Sequence, residues 1–276
     1  MSRKKPSREA AAVVTGAGSG IGRAFALELA RRGGRVVCAD INEATARDTV
    51  RMIEAAKGQA WAVACDVGEL AQVEALAARA EELLDDPVDV VVNNAGIGIG
   101  GKRIGEFDIG DWRKTVDVNL WGVIHGCHVF APKLRALRRG GVLNVASTAS
   151  FAAAPTMGPY NVTKAAVLAL TETLAAELAG SGVRVSALCP TFVKTNIIRD
   201  GRIEPGATRL AERLMDWIGF TPGRVAREAL DSLDHGRLYT LPQLDARLVW
   251  RMKRWMPESY GRGAGVLGRL AARASS

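Results

Sequence analysis

Short, continuous apolar runs alternate along the chain with longer segments in which apolar residues recur every three or four positions. The first pattern is typical of parallel strands buried on both faces, and the second is typical of amphipathic helices. Strands are predicted at 11–15, 35–39, 60–64, 88–92, 141–146 and 183–188, with a seventh at 237–241. Helices are predicted at 20–32, 43–57, 69–84, 111–138 and 159–180. This alternation predicts an α/β fold, a single doubly wound parallel sheet of the Rossmann type with about seven strands and helices on both faces.

Residues 191–235 interrupt the alternation between the sixth and seventh strands and contain a predicted helix at 208–218. Insertions at the carboxyl ends of parallel strands often cover ligands, so we predict a substrate lid here; a plain surface excursion is the alternative. The chain is thus expected to comprise a basic N-terminal extension at 1–9, a Rossmann-type domain at 10–242 and a basic amphipathic extension at 243–276.

The C-terminal extension begins with a predicted amphipathic helix. Its apolar stripe consists of Leu244, Leu248, Met252 and Trp255. Its basic stripe consists of Arg247, Arg251 and Arg254. A glycine-rich break at 261–265 is predicted to separate this helix from a second apolar segment at 266–271. A helix of this kind can lie on an anionic membrane surface. Alternatively, its apolar stripe packs on the substrate pocket or on a partner subunit, with the arginines in solvent.

The net charge of +8 is concentrated at the two ends of the 276-residue chain. Residues 1–9 carry +3 and residues 245–276 carry +5, which leaves the body between them neutral. A neutral body argues against nucleic acid as a partner. Charged and polar residues interrupt every apolar run before it could span a bilayer, and the basic N-terminus lacks the apolar region of a secretory signal. We therefore expect a cytoplasmic protein.

The four cysteines stand singly in apolar segments without C-x-x-C pairing; they are Cys38, Cys65, Cys127 and Cys189. They are expected to be buried free thiols of a reducing compartment. The three histidines have no acidic partners in a metal-like arrangement, so no metal site is expected.

A glycine-rich turn, TGAGSGIG at 15–22, follows the first predicted strand directly and opens the first helix. Its glycines Gly16, Gly20 and Gly22 would let the backbone approach a pyrophosphate, whose charge the N–H groups and dipole of a helix N-terminus favour. A tight strand-to-helix turn also demands glycine, but the position between the first strand and the first helix favours dinucleotide binding.

Asp40 closes the second predicted strand, where a dinucleotide fold places a carboxylate on the adenosine ribose. A carboxylate there repels a 2′-phosphate and favours NAD over NADP. Asp40 could instead cap the helix at 43–57, although Asn42 could also take that role. Arg23 and Arg35 lie nearby in sequence and could bind a 2′-phosphate, so NADP stays as the alternative.

Two further polar clusters end predicted strands, C-D-V at 65–67 and N-N-A-G at 93–96. The carboxyl ends of parallel strands form the edge at which an α/β sheet binds its ligand. Turn formation and helix capping by Asp66 would explain these residues equally well.

Tyr160 and Lys164 are four residues apart in the predicted helix at 159–180, so their side chains share one face. An ammonium beside a phenol stabilises the phenolate, so we predict that Lys164 lowers the pKa of Tyr160. Ser147 lies just past the apolar run GGVLNVA and adds a hydroxyl at the end of a strand. Such a pair also arises by chance on a solvated helix face.

Taken in order, these motifs resemble the short-chain dehydrogenase/reductase family in its single-domain branch. The matching features are TGAGSGIG, CDV, NNAG, the VNL around Asn119, Ser147, YNVTK and the C-P-x-x-V-x-T at 189–195. The resemblance covers about residues 10–240, and the composition and tail are similar to those of actinobacterial secondary-alcohol dehydrogenases. Thr191 departs from the family, which usually has glycine after this proline.

The resemblance implies that Asn119, Ser147, Tyr160 and Lys164 are catalytic. Tyr160 would give a proton to a carbonyl oxygen or take one from a hydroxyl while a hydride moves to or from nicotinamide. Ser147 would hold the substrate oxygen, and Lys164 would bind the nicotinamide ribose. Asn119 would anchor a water chain to Lys164.

The same resemblance implies a set of cofactor-binding residues. They are Gly16, Ser19, Gly20, Ile21, Gly22, Asp40, Asp66, Val67, Asn93, Ala95, Gly96, Tyr160, Lys164, Pro190, Val193 and Thr195.

The expected activity is hydride transfer between NAD(H) and a secondary alcohol or ketone, with a lipophilic substrate. An NADP-dependent 3-oxoacyl or ketosteroid reductase is the alternative among enzymes, and a non-catalytic dinucleotide sensor or scaffold is the alternative outside them. In the family, the helices equivalent to 111–138 and 159–180 commonly form a subunit interface, which implies a homodimer or homotetramer.

Overall fold

The structure, a computed structural model, describes residues 5–191, 193, 202–203 and 219–274. Within this part of the chain, seven parallel strands form one sheet in the order β3-β2-β1-β4-β6-β7-β9, and β5 pairs separately with β8. The strands are β1 (Ala11–Thr15), β2 (Arg35–Asp40), β3 (Gln59–Ala64), β4 (Val90–Asn93), β5 (Ile99–Gly100), β6 (Gly141–Val145), β7 (Arg184–Leu188), β8 (Arg202–Ile203) and β9 (Tyr239–Thr240). The predicted parallel α/β sheet is confirmed.

Helices cover both faces of the sheet, as the sequence predicts. They are α1 (Gly20–Arg31), α2 (Glu43–Ala55), α3 (Leu70–Leu84), α4 (Ile109–Val116), α5 (Gly122–Leu137), α6 (Ala149–Ala152), α7 (Gly158–Glu177), α8 (Pro222–Asp234), α9 (Leu244–Trp255) and α10 (Pro257–Ala274). Side chains of α1, α2 and α8 fill one face, and those of α3, α5 and α7 fill the other. Neighbouring residues of β1 alternate between the two cores, which explains why the strands are apolar throughout.

The connections leave β1 in two directions, because β2 and β3 lie on one side of it and β4, β6, β7 and β9 lie on the other. This reversal opens a crevice at the carboxyl ends of β1 and β4. In open α/β sheets the ligand binds at such a switch point. The glycine-rich turn and residues 93–96 both lie there.

The helix predicted at 111–138 is divided. It consists of α4, a π-helical turn at Asp117–Trp121 and α5. The turn contains Asn119, whose side chain Oδ1 accepts from Ile97 N at 2.7 Å and whose Nδ2 donates to Ile97 O at 2.9 Å. A wide turn at this point directs the amide inward, which is a common use of π-bulges.

The lid prediction for 191–235 is wrong in its last part. Residues Pro222–Asp234 form α8, a helix that packs against the sheet beside α1 with Val225, Ala229 and Leu230 fully buried. The helix predicted at 208–218 lies outside the described residues.

The predicted break at 261–265 is also wrong, because α10 continues through these glycines. Glycine costs a helix about 1 kcal/mol relative to alanine but does not forbid it. All four cysteines are buried and unpaired, as predicted, and burial raises the pKa of the Cys38 thiol to about 12. Among the described helices, none combines the length and the apolar character that crossing a membrane requires.

Candidate active site

The glycine-rich turn brings the backbone of β1 and α1 into close contact with β4. Gly16 and Gly20 adopt left-handed conformations with φ of 63° and 52°. A Cβ at Gly16 would lie 2.9 Å from the Cα of Ala95, and one at Gly22 would overlap the carbonyl oxygen of Gly16. These glycines are therefore required by the turn itself.

The N-terminus of α1 is suited to an anion. Ser19 is its N-cap, but in the described part of the chain no side-chain hydrogen bond caps the helix, and the first turn carries no acidic residue. The backbone N–H groups of Gly20, Ile21 and Gly22 and the positive end of the helix dipole face the switch point without a competing carboxylate. This arrangement fits the pyrophosphate of a dinucleotide.

Asn94 holds the glycine turn, a role that the sequence analysis did not assign. Its Nδ2 donates to Thr15 O at 2.9 Å and to Gly16 O at 3.2 Å. In return, Thr15 Oγ1 accepts from the backbone N–H groups of Asn94 and Ala95 at 3.0 and 3.1 Å. The sequence signal was the pair of adjacent asparagines at the end of a predicted strand, which turn formation explained equally well.

Asn93, predicted to bind the cofactor, points the other way. Its Nδ2 donates to Asn144 Oδ1 at 2.8 Å and contacts Cys127, and the residue is 2% exposed. Successive residues of a strand face opposite sides of a sheet, so only one of the two asparagines can reach the turn. The side chain of Asn93 is therefore directed away from the glycine turn, and the expectation that this residue binds the cofactor remains a prediction.

Asp40 lies at the carboxyl end of β2 and faces the glycine turn. Its Oδ2 accepts from Gly18 N at 2.8 Å and its Oδ1 from Asn42 N at 2.9 Å. Asn42, and not Asp40, caps α2, with its side chain accepting from Ala44 N. The carboxylate is thus held at the place where the resemblance expects an adenosine ribose.

The two arginines that could have bound a 2′-phosphate have other partners. Arg23 donates to Thr49 Oγ1 at 3.0 Å and to the carbonyl oxygen of Gly18. Arg35 stands at the amino end of β2 and donates to Asp86 at 3.0 Å. Because Asp40 and the glycine turn lie at the opposite end of β2, Arg35 is remote from them.

The end of β3 forms a compact turn at the same edge of the sheet. Asp66 Oδ1 accepts from Gly68 N at 2.9 Å, which is turn chemistry, and Glu69 is the N-cap of α3. Val67 O bonds His125 Nδ1 at 2.8 Å. Asp66 and Val67 therefore lie at the predicted edge.

Ser147, Tyr160 and Lys164 come together at the ends of β6 and α7, as predicted. The hydroxyl of Ser147 is hydrogen-bonded to Tyr160. Lys164 is 2% exposed, and its Nζ donates to Val145 O at 2.8 Å and lies 5.8 Å from the centroid of the Tyr160 ring. The Nζ also borders Gly96, opposite Asn119 Oδ1.

Burial shifts the pKa values of Tyr160 and Lys164 in opposite directions. It raises the pKa of Tyr160, and the hydrogen bond with Ser147 acts in the opposite direction without reversing the rise. Burial also lowers the pKa of Lys164 to about 8. The prediction that Lys164 lowers the pKa of Tyr160 is therefore wrong for this structure, because the ammonium bonds Val145 O and desolvation is the larger effect.

The segment after β7 is tied to the end of β6. Pro190 O accepts from Thr148 N at 2.9 Å and from Ser147 Oγ at 3.5 Å. Thr191 Oγ1 lies 3.1 Å from Thr148 Oγ1, and its backbone N–H donates to Gln243 Oε1 at 3.2 Å. Gln243 was not predicted; it connects the start of the C-terminal extension to the residue at which this chain departs from the family pattern.

Val193 is buried and forms a bridge with Phe220, beside the same segment. Thr195, the last predicted cofactor residue, lies outside the described residues.

Apolar side chains surround Gly158, two residues before Tyr160. A Cβ at Gly158 would lie 3.1 Å from Ile104 and 3.4 Å from Trp112. Met157 packs over Gly100, and Ile104 is 78% exposed. We call Ile104, Trp112 and Met157 the apolar wall.

Comparison with known proteins connects this site to one family. The family model described as short chain dehydrogenase matches residues 10–204. The chain is 32% identical over 264 residues to the oxidoreductase SadH of Mycobacterium tuberculosis, with 92% of this chain and 94% of SadH aligned. A crystal structure of a short chain dehydrogenase/reductase from Burkholderia phymatum in complex with NAD is 35% identical, with a TM-score of 0.85, and the match covers 92% of this chain and 95% of that one.

A second relative is much longer. The chain is 41% identical over 186 residues to EphD of Mycobacterium tuberculosis, a protein classed among the oxidoreductases. The match covers 67% of this chain but 31% of EphD, so the chain corresponds to about a third of that relative.

Proposed function

Because the chain belongs to the short-chain dehydrogenase family, we propose that it transfers a hydride between NAD(H) and a secondary alcohol or ketone. The observation that carries this proposal is the hydrogen-bonded pair of Ser147 and Tyr160 beside the buried Lys164. When bound, the nicotinamide dinucleotide would supply or accept the hydride. The chain itself has to bind the dinucleotide, hold the substrate oxygen and move one proton.

Tyr160 is the group that moves the proton. Its raised pKa keeps the phenol protonated at neutral pH, so it can donate its proton to a carbonyl oxygen during reduction and is left as a phenolate. In the reverse direction it is this phenolate, and not the phenol, that accepts the proton of an alcohol. The hydroxyl of Ser147 hydrogen-bonds the same substrate oxygen and stabilises the negative charge that develops there.

Lys164 and Asn119 support this step. With a pKa of about 8, Lys164 is still mostly charged at pH 7 and presents its ammonium to the nicotinamide ribose. Asn119, fixed by its two bonds to Ile97, borders Gly96 together with Lys164 and anchors the water chain through which the lysine exchanges protons with solvent.

NAD is the proposed cofactor, with Asp40 as the discriminating residue. A 2′-phosphate would meet the carboxylate of Asp40, while Arg23 and Arg35 are engaged elsewhere. Comparing kcat/KM for NADH and NADPH on one ketone tests this; we expect a preference of at least about tenfold for NADH, since one unscreened like-charge contact costs more than about 1.4 kcal/mol. A preference for NADPH would favour the 3-oxoacyl or ketosteroid reductase alternative.

The proposed substrate is lipophilic. The apolar wall of Ile104, Trp112 and Met157 lies beside Gly158, two residues before Tyr160 in α7, and Phe107 packs edge-on against Trp112 with ring centroids 6.3 Å apart. Each methylene buried on such a wall contributes about 0.8 kcal/mol. In a series of ketones of graded chain length, kcat/KM should therefore rise with length; a flat or falling series would contradict a lipophilic substrate.

We further propose a homodimer or homotetramer. Trp121 and Val162, at the start of α5 and in α7, are 47% and 51% exposed and form apolar surface on the helices through which the family associates. The mass of the purified chain in solution, measured by light scattering, tests this, and a monomer at micromolar concentration would contradict it.

Replacing Tyr160 by Phe tests the proposed function directly. Tyr160→Phe removes only the hydroxyl, so kcat should fall by about 10²–10⁴-fold, the usual contribution of a general acid, with dinucleotide affinity nearly unchanged. Tyr239→Phe is the matched control, because its hydroxyl donates to Glu172 Oε1, and it should leave kcat intact. Turnover by Tyr160→Phe near the parent rate would refute the assignment, and dinucleotide binding without turnover of any alcohol or ketone would favour a sensor.

A further inference from the structure

Helix α9 carries an apolar stripe that faces away from the rest of the protein. Leu244, Leu248, Met252 and Trp255 are 78%, 59%, 37% and 85% exposed. At 3.6 residues per turn these four positions fall on one side of the helix. Large apolar side chains that are exposed together, rather than singly, indicate an interaction surface.

The opposite side of α9 fixes the helix on the body. Ala246 is fully buried, and Val249 and Trp250 pack against the core beneath α7. In the next helix, α10, Tyr260 Oη donates to Ala152 O at 2.9 Å. Because these contacts use the inner side, the exposed stripe does not cover the substrate pocket of its own subunit, which removes one of the alternatives left open by the sequence.

Positive charge flanks the stripe. Arg247 and Arg251 lie along one side of it and are exposed, and Arg247 Nε donates to Leu241 O at 2.8 Å, which holds this guanidinium beside the stripe. Residues 245–276 contain seven basic residues and only two acidic ones. The side of the stripe that carries Arg247 and Arg251 is therefore complementary to an anionic partner.

We propose that α9 binds the surface of an anionic lipid bilayer. Trp255, Leu244 and Leu248 enter the boundary between headgroups and acyl chains, where an indole ring and aliphatic side chains are favoured. Arg247 and Arg251 contact the lipid phosphates, and each basic residue near such a surface strengthens binding. The helix lies in the plane of the interface and does not cross the membrane.

A second copy of the chain fits the stripe less well. In a two-fold symmetric contact the same patch meets itself, so Arg247 and Arg251 of one copy would approach those of the other. Like charges across an interface oppose association, whereas an anionic bilayer neutralises them. The charge of the patch thus favours lipid as the occupant.

Flotation of the full chain with vesicles tests this proposal. The protein should float with vesicles of phosphatidylcholine and phosphatidylglycerol and remain at the bottom with phosphatidylcholine alone. The double variant Leu248→Ser and Trp255→Ser should lose at least about tenfold in binding, since burying even one such side chain is worth more than that factor. The double variant Arg247→Gln and Arg251→Gln should lose a similar factor in vesicle binding. Added salt should weaken the binding of the parent chain to the vesicles.

Met52→Ser is the matched control, because it removes an exposed apolar side chain, 46% exposed, on α2 and should float like the parent chain. Absence of flotation, or equal flotation of parent and stripe variants, would overturn the proposal. If the parent chain does not float and the stripe variants have a lower oligomer mass, the proposal is overturned, and the stripe contacts a second copy of the chain instead. The proposal goes beyond hydride transfer and does not depend on it, so flotation can be read even in a chain that turns over no ketone.

Discussion

The close approach of backbone segments at Gly22 explains why the glycine turn tolerates so little change. A Cβ at this position would overlap the carbonyl oxygen of Gly16 and press on Asn94 Nδ2, which itself holds Thr15 and Gly16. Since these atoms are backbone or are fixed by two hydrogen bonds, the turn would have to move to admit a methyl group. The N–H groups of α1 that face the proposed phosphate site would move with it.

Gly22→Ala should therefore weaken NADH binding by at least about tenfold and destabilise the fold by about 1–3 kcal/mol, the usual cost of overpacking. Quenching of tryptophan fluorescence by NADH measures the first quantity, and urea unfolding measures the second.

Gly223→Ala provides the control for this change. Gly223 is in the first turn of α8, where no described atom lies within 4 Å of the added Cβ, so the variant should bind NADH normally and be as stable as the parent or slightly more. Parent-like affinity in Gly22→Ala would show that the turn does not bind the dinucleotide.

At the scale of single residues, the sequence predicted which side chains meet but not their protonation. The spacing of Tyr160 and Lys164 in a helix was enough to place them on one face, and Ser147 followed from a strand end. The pKa of Tyr160 depends on how much protein surrounds it, which no local pattern records. The choice between Asn93 and Asn94 likewise depended on the exact end of β4, and a shift of one residue reverses the side that a side chain faces.

At the scale of elements, long periodic segments were predicted well and their interruptions were not. Each of the six main parallel strands lies within two residues of its predicted position, because a strand buried on both faces leaves a continuous apolar run. The π-helical turn at Asp117–Trp121 follows from the bonds between Asn119 and Ile97, which are distant in sequence. Helix α10 continues through glycines that local propensity would disfavour.

Gln243 connects the segment after β7 with the start of α9, two parts of the chain that the sequence pattern does not link. Its buried side chain precedes α9 and accepts from Thr191 N, and Thr191 in turn contacts Thr148 beside Ser147. Gln243→Leu keeps the volume but leaves the N–H of Thr191 without this acceptor, at a cost of about 1–3 kcal/mol for a buried group. The backbone at Pro190 and Thr191 should then shift, which raises KM for the dinucleotide and lowers kcat by about tenfold in steady-state assays.

The control for this prediction is Gln59→Leu, at the exposed start of β3, which should leave both kinetic constants unchanged. If Gln243→Leu lowers only the midpoint of thermal unfolding and the kinetics remain those of the parent chain, Gln243 is a structural residue and does not position the site.

At the scale of the whole molecule, the βαβ alternation predicted one doubly wound parallel sheet, but it did not predict the contacts that join the N-terminal segment to α8. Arg32 is buried and bonds Glu28 at 2.9 Å, Ser7 at 2.7 Å and Asp234 at 3.3 Å. Ser7 and Asp234 are 227 residues apart in sequence and are joined by two further hydrogen bonds. No periodic pattern could indicate this ion cluster, because each member is by itself an ordinary polar residue.

The ion cluster should make stability depend on pH through Glu28. Burial by itself raises the pKa of Glu28, but the hydrogen bonds and charges of Arg31 and Arg32 more than offset it and hold the pKa at about 2. A carboxylate whose pKa is lower in the folded than in the unfolded chain stabilises the fold above its unfolded pKa of about 4.5, and this contribution is lost as the pH falls from there towards 2. Glu28→Gln should therefore reduce the free energy of unfolding at pH 7 by about 2–4 kcal/mol and by much less near pH 2.

Urea unfolding at pH 7 and near pH 2 measures this difference, and Glu43→Gln is its matched control. Glu43 also pairs with an arginine, Arg47, at 2.6 Å, but both side chains are exposed, so its loss should cost less than about 1 kcal/mol at either pH. The difference between the two variants arises from burial, because Arg32 retains its charge in the interior when Glu28 is neutralised. Equal costs for the two changes at pH 7 would mean that the ion cluster contributes no more than a surface pair to joining the N-terminal segment, α1 and α8.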